Sequence, residues 1–174
     1  MGKKIWTIGH STHPFEVFLE MLRSFGIEEV ADVRSFPGSR RYPQYAKESL
    51  EHTLPQAGIN YVHIPQLGGR RKVDADSPNT MWRHPAFRGY ADYMATAGFR
   101  EGIKILEKES GSKRTAIMCA EAVWWRCHRS LISDYLKSEG WTVMHITGVG
   151  KETEHPYTQA ARIVDGHLTY HGIL

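Results

Sequence analysis

The chain has 174 residues, 41% of them hydrophobic, a net charge of +3 at pH 7 and two cysteines. That length fits a single domain over residues 1–174, which buries roughly 70% of its unfolded surface and so needs no disulfide staples. No run of about 18 apolar residues is present, and the start MGKKIWTIGH lacks the apolar core of a secretion signal; the expectation is a cytoplasmic protein without a membrane partner, its cysteines free, metal-bound or redox-active.

The first apolar run, KKIWTIGH, reads as a strand that stops at Gly9-His10. A helix follows: Phe15, Phe18, Leu19, Leu22 and Phe25 recur at helical spacing, with Thr12 as expected N-cap, Pro14 in the first turn and Gly26 as the stop. EEVADVR is a second strand, and Pro37-Gly38 turns the chain to present Ser39, Arg40 and Arg41. A helix from Ala46 to Gln56 with Gly58 at its end leads into the strand NYVHIP. Gly68 to Arg83 has no periodicity and is expected to form a loop covering substrate.

A third helical pattern runs from about Pro85 to Glu109, with Gly98 as an expected break. RTAIMCA is the fourth strand, 121–126 a loop, and a helix opens at Cys127 or His128, carrying Leu131, Ile132, Tyr135 and Leu136 inward until Gly140. WTVMHITG is the fifth strand, and RIVDGHLTYHG reads as a hairpin around Asp165-Gly166. Short strands apolar on both sides, alternating with helices, predict an α/β fold: a doubly wound, mainly parallel sheet with helices on both faces and a C-terminal β-hairpin.

In such a sheet, ligands bind beyond the C-terminal ends of the strands. Those ends carry His10 and Ser11, Asp32 and Arg34, then Cys119 and Glu121, so most reactive side chains converge on one edge. The stretch MCAEAVWWRCHRS holds both cysteines, and its second half starts a helix whose free N–H groups attract anions and stabilise a thiolate. The candidates follow by chemistry. Cys119 is nucleophile or, with Cys127, redox centre; Glu121, His128 and His10 are acid/base groups. Arg34, Arg40 and Arg129 hold an anion, Ser11, Asp32 and Ser39 contribute polar contacts, and Trp124 and Trp125 offer a stacking surface.

Two known arrangements fit poorly. A cysteine-phosphatase loop starting at Cys119 requires arginine where Trp125 stands, and one starting at Cys127 requires it at Ser133. A zinc site drawing on Cys119, Cys127, His128 and His10 or His145 lacks a Cys-x-x-Cys pair, and adjacent Cys127 and His128 diverge by about 100° on a helix. No metal is assigned and no cofactor is specified.

TIGHS, DVRSFPGSR, LGG, MCAE and CHRS, in that order, resemble the domain-of-unknown-function family numbered four-eight-eight. The resemblance spans nearly the whole chain and implies the fold and the clustered positions His10, Ser11, Asp32, Arg34, Ser39, Arg40, Cys119, Glu121, Cys127, His128 and Arg129, without implying a reaction. The expected function is an enzyme acting on a phosphate-bearing small molecule, such as a nucleotide, or on a nucleic-acid component. The rivals are a nucleic-acid-binding module without catalysis and a redox or metal sensor using Cys119 and Cys127.

Overall fold

A computed structural model describes residues 3–38 and 40–172. Six strands form one sheet in the order β3-β2-β4-β1-β5-β6: β1 Lys4–Gly9, β2 Glu29–Asp32, β3 Asn60–His63, β4 Thr115–Cys119, β5 Thr142–Gly148 and β6 Lys151–Glu154. The first five run parallel and β6 returns antiparallel along β5. The α/β architecture expected from the sequence is therefore the one observed. The terminal hairpin of β7 Arg162–Val164 and β8 His167–Thr169 is also present. Asp165 and Gly166 take φ values of 52° and 79° at its turn, a backbone that Asp-Gly adopts readily.

Successive strand residues serve opposite faces. Ile5, Ala31, Ile117 and Val143 pack under α3 Pro85–Tyr93, α4 Ala97–Ser112 and α5 Arg129–Ser138. Trp6, Val30, Ala116, Met118 and Ile146 pack on the other side under α1 Phe15–Ser24 and α2 Lys47–Gln56. This two-sided burial is why the strands read as continuous apolar runs. Strand β4 lies between β1 and β2, yet its helix covers the face opposite to theirs. The chain thus diverges around the end of β4, the place where doubly wound sheets open a crevice.

Four details differ from the sequence expectation. Helix α1 has Pro14, not Thr12, at its N-cap, because Ser11 turns the chain at φ 48° before the helix can start. The third helical pattern is two helices, parted at 94–96 rather than at Gly98, since the Thr96 hydroxyl accepts from the Phe99 N–H and caps α4. Helix α5 starts at Arg129, with Trp124–Arg126 coiled into a 3-10 turn before it. The edge strand β6 is too polar to register as a strand. Among the described residues no helix is long and apolar enough to cross a membrane.

Candidate active site: a paired-thiol pocket

The end of β4 is held from both sides. The His10 and Ser11 N–H groups donate to the Cys119 and Ala120 carbonyls at 2.9 Å each, and the Val33 N–H donates to Met118 at 3.1 Å. Gly9 makes this docking feasible: a Cβ there would stand 1.7 Å from the Glu121 carbonyl oxygen. The chain after Cys119 therefore lies directly over the end of β1.

A pocket of about 310 Å³ opens at this point, lined by Arg34, Arg70, Cys119, Glu121, Arg126, Cys127 and His128, with Phe36 and Phe87 as apolar walls. Both cysteines are buried, free thiols, near enough for each to shift the titration of the other. Burial pushes the Cys119 thiol up, but the hydrogen bond from Cys127, the Arg129 charge and the Glu121 backbone outweigh it and hold Cys119 below the usual thiol range. Cys127 goes the other way, raised by burial and by its neighbour Cys119. The two thiols are thus shifted in opposite directions, Cys119 down and Cys127 up.

His128 Nε2 donates to the Val33 carbonyl at 2.7 Å, leaving Nδ1 toward the Cys127 sulfur at 3.6 Å. Burial lowers its pKa to about 4, so the ring is neutral at pH 7. The Glu121 side chain is exposed at the pocket mouth, while its carbonyl accepts from Arg129 at 3.0 Å.

Asp32 and Arg34 form a buried fork: Nε to Oδ1 at 2.9 Å and Nη2 to Oδ2 at 2.7 Å, with the Tyr61 hydroxyl also donating to Oδ2. Asp32 is thus a brace for the guanidinium. Arg34 Nη1 donates to His10 Nε2 at 3.3 Å, His10 Nδ1 donates to the Ser11 carbonyl at 2.9 Å, and the ring stacks on Tyr45 at 4.3 Å. His10 is accordingly neutral, its pKa lowered by burial to about 4. These bonds use three of the five guanidinium N–H groups of Arg34, and two remain for a ligand.

The other candidates are placed differently. Arg129 is 1% exposed and lies beneath the pocket, bonded to the Thr7 hydroxyl and to the Glu121 and Ala122 carbonyls. Arg40 is exposed and outside the lining, and Ser39 lies outside the described residues. Trp124 and Trp125 line a neighbouring hollow of about 850 Å³ with Trp82, Arg83 and Tyr157. The turn Trp124–Arg126 is the wall between the two spaces, giving Arg126 to one and the tryptophans to the other. The loop 68–83 is pinned to α3: Asp92 accepts from the Asp74 N–H at 2.8 Å and from Asn79 Nδ2 at 2.7 Å. Its start supplies Arg70 to the thiol pocket and its end Trp82 to the hollow. Tyr61, the second brace on Asp32, carries no signal in the sequence beyond its place in β3. Among the described residues no group of three or more histidine, cysteine or acidic side chains is arranged to hold a metal ion.

Fold and site together define an α/β protein with a paired-thiol pocket at the C-terminal edge of its parallel strands. A family model described as domain of unknown function DUF488 matches residues 14–136, and the chain belongs to that family. No curated protein and no solved structure matches the chain.

Proposed function

We propose that the thiol pocket is the active site of an enzyme acting on a phosphate-bearing ligand, such as a nucleotide or a nucleic-acid component, with Cys119 as nucleophile. One observation carries this reading. A thiol at the end of a central strand is held below its ordinary range inside a pocket that also bears the guanidinium groups of Arg34, Arg70 and Arg126. The Cys119 thiolate forms the new bond to the electrophilic atom, and the leaving group departs with the electron pair of the bond that breaks. Arg70, Arg126 and the two spare N–H groups of Arg34 neutralise the anion. Glu121 or neutral His128 handles the accompanying proton.

The coupling of the two buried thiols favours a second reading, a dithiol that closes to a disulfide while passing two electrons to a disulfide substrate. Two measurements decide. Alkylation of Cys119 followed against pH should show a midpoint below the roughly 8.5 of a free thiol. Calorimetric titration should detect phosphate, weakened by about 1.5–3 kcal/mol in Arg126→Ala. An ordinary midpoint removes the nucleophile. Wild type that ignores millimolar phosphate and nucleotide removes the phosphate ligand, and ready oxidation of both thiols by glutathione disulfide then selects the dithiol. Salt-dependent oligonucleotide binding that survives alanine at both cysteines selects a binding module instead.

A further inference from the structure

Behind the thiol pocket, toward β5, a chain of buried polar groups leads away from Arg129. Arg129 Nη1 donates to Thr7 Oγ1 at 3.2 Å, and Thr7 Oγ1 lies 2.5 Å from His145 Nδ1. His145 Nε2 lies 2.8 Å from His155 Nδ1, and His155 Nε2 lies 2.8 Å from Asp134 Oδ1. The Thr158 N–H and hydroxyl and the Tyr170 hydroxyl fill the remaining positions on the carboxylate. None of the five residues from Arg129 to Asp134 is more than 1% exposed.

With both imidazoles uncharged, the direction of each proton follows from the two ends. A carboxylate only accepts and a guanidinium only donates. His155 therefore gives Nε2–H to Asp134 and offers its Nδ1 lone pair to His145 Nε2–H. His145 in turn offers Nδ1 to the Thr7 O–H, and Thr7 accepts from Arg129. All four hydrogen bonds then run one way, from cation to anion. Burial keeps the His145 ring uncharged. Trp124 stacks flat on that ring, with 4.7 Å between centroids and a 6° tilt.

This arrangement is costly unless something uses it. Among the described residues no ion pair includes Arg129; its partners are a hydroxyl and two carbonyls, and its Nε is buried without a partner. A buried guanidinium with only neutral partners calls for an anion in its field. Around Cys119 the titratable and charged groups are Arg129, Cys127 and His128 at the start of α5, Glu121 and Arg126 on the loop before it, Arg70 from the loop after β3, and His10 and Arg34 from the ends of β1 and β2. His10 and His128 are neutral, and Arg34 is paired with Asp32. The Glu121 carboxylate is exposed to water at the pocket mouth; the buried group that shares a partner with the Arg129 guanidinium is Cys119, whose sulfur lies 3.7 Å from the Glu121 carbonyl oxygen that Arg129 Nη2 also holds.

We propose that Thr7, His145, His155 and Asp134 are positioning residues for Cys119. The relay lets a carboxylate orient Arg129 without neutralising it, and so leaves the guanidinium charge to the thiolate. A direct Asp134–Arg129 pair would cancel much of that field at the sulfur. The inference rests on the reading of Cys119 as a functional thiol.

The first test needs no substitution. Nitrogen-15 NMR of the imidazoles at neutral pH should show His145 and His155 each as the Nε2–H tautomer. A protonated ring, or Nδ1–H on either, overturns the relay. The second follows Cys119 alkylation against pH, located by mass spectrometry. Thr7→Val removes the hydroxyl at nearly constant shape and should raise the midpoint by about one unit, a tenfold change in the ionisation constant; Thr7→Ser should restore it. An unmoved midpoint in folded Thr7→Val, with a low midpoint in wild type, overturns the relay and leaves the thiol reading intact. An ordinary midpoint in wild type removes the thiol reading and the relay's role with it.

Discussion

The buried rings of His10 and His145 and the half-buried ring of His128 make the molecule sensitive to acid. His10 and His128 have pKa values lowered to about 4 and His145 to about 2, each by burial first. In the unfolded chain they take up protons near the ordinary value of about 6.5. The unfolded state therefore binds more protons as pH falls from about 6.5 toward 4, and each ring withdraws on the order of 1–3 kcal/mol of stability across that window. Glu29 acts in the opposite sense. Burial and a hydrogen bond to Glu109 push its carboxyl up to about 7, so the native state holds the extra proton and loses stability as pH rises from about 4.5 to 7. Urea unfolding of Glu29→Gln should show a gain of about 1 kcal/mol at pH 8 and none near pH 4.5. A gain of equal size at both values would mean that the carboxylate is not the source. The composition shows ten histidines but not which are buried, since that depends on which strand ends meet.

Among the elements, β1 and β4 do most to form the site, and both were legible as apolar runs. Their endings were legible too, because glycine, histidine and cysteine interrupt those runs at 9–10 and 119. The purpose of Gly9 was not. Its absent side chain accommodates the Glu121 carbonyl, a contact made across more than a hundred residues of chain. Gly9→Ala should lower stability by about 1–3 kcal/mol through overpacking. Amide exchange should accelerate in residues 120–126 well before the rest of β1 responds. Uniform acceleration along the sheet would instead show that Gly9 serves the strand and not the loop. The split between α3 and α4 was hidden for a related reason: the Thr96 cap competes with an apolar periodicity that runs on through it. The loop 68–83 shows no periodicity in the sequence, because its anchor, Asp92, belongs to the next helix.

At the scale of the whole molecule, the sheet order assembles what the sequence keeps apart. Thr7, Asp134, His145 and His155 come from β1, α5, β5 and the segment after β6, with no local spacing to connect them. The thiol pocket was foreseeable because strand ends converge by rule, whereas the relay requires the actual register of Thr7 against His145. The wall shared by the pocket and the tryptophan hollow predicts a bipartite ligand. A nucleotide should bind more tightly than inorganic phosphate, and Trp125→Ala should remove about 1–3 kcal/mol of that advantage, the worth of one stacked base. Phosphate affinity should stay as in wild type; equal loss for both ligands would assign Trp125 to the fold. The sheet's borders carry a different consequence. One is β6, four residues reading Lys-Glu-Thr-Glu, and the other is β3, also four residues and closed off after Ile64 by Pro65. Short, charged or proline-bounded rims offer little template for another chain's backbone. The parallel core is thereby shielded from growing edge to edge into aggregates.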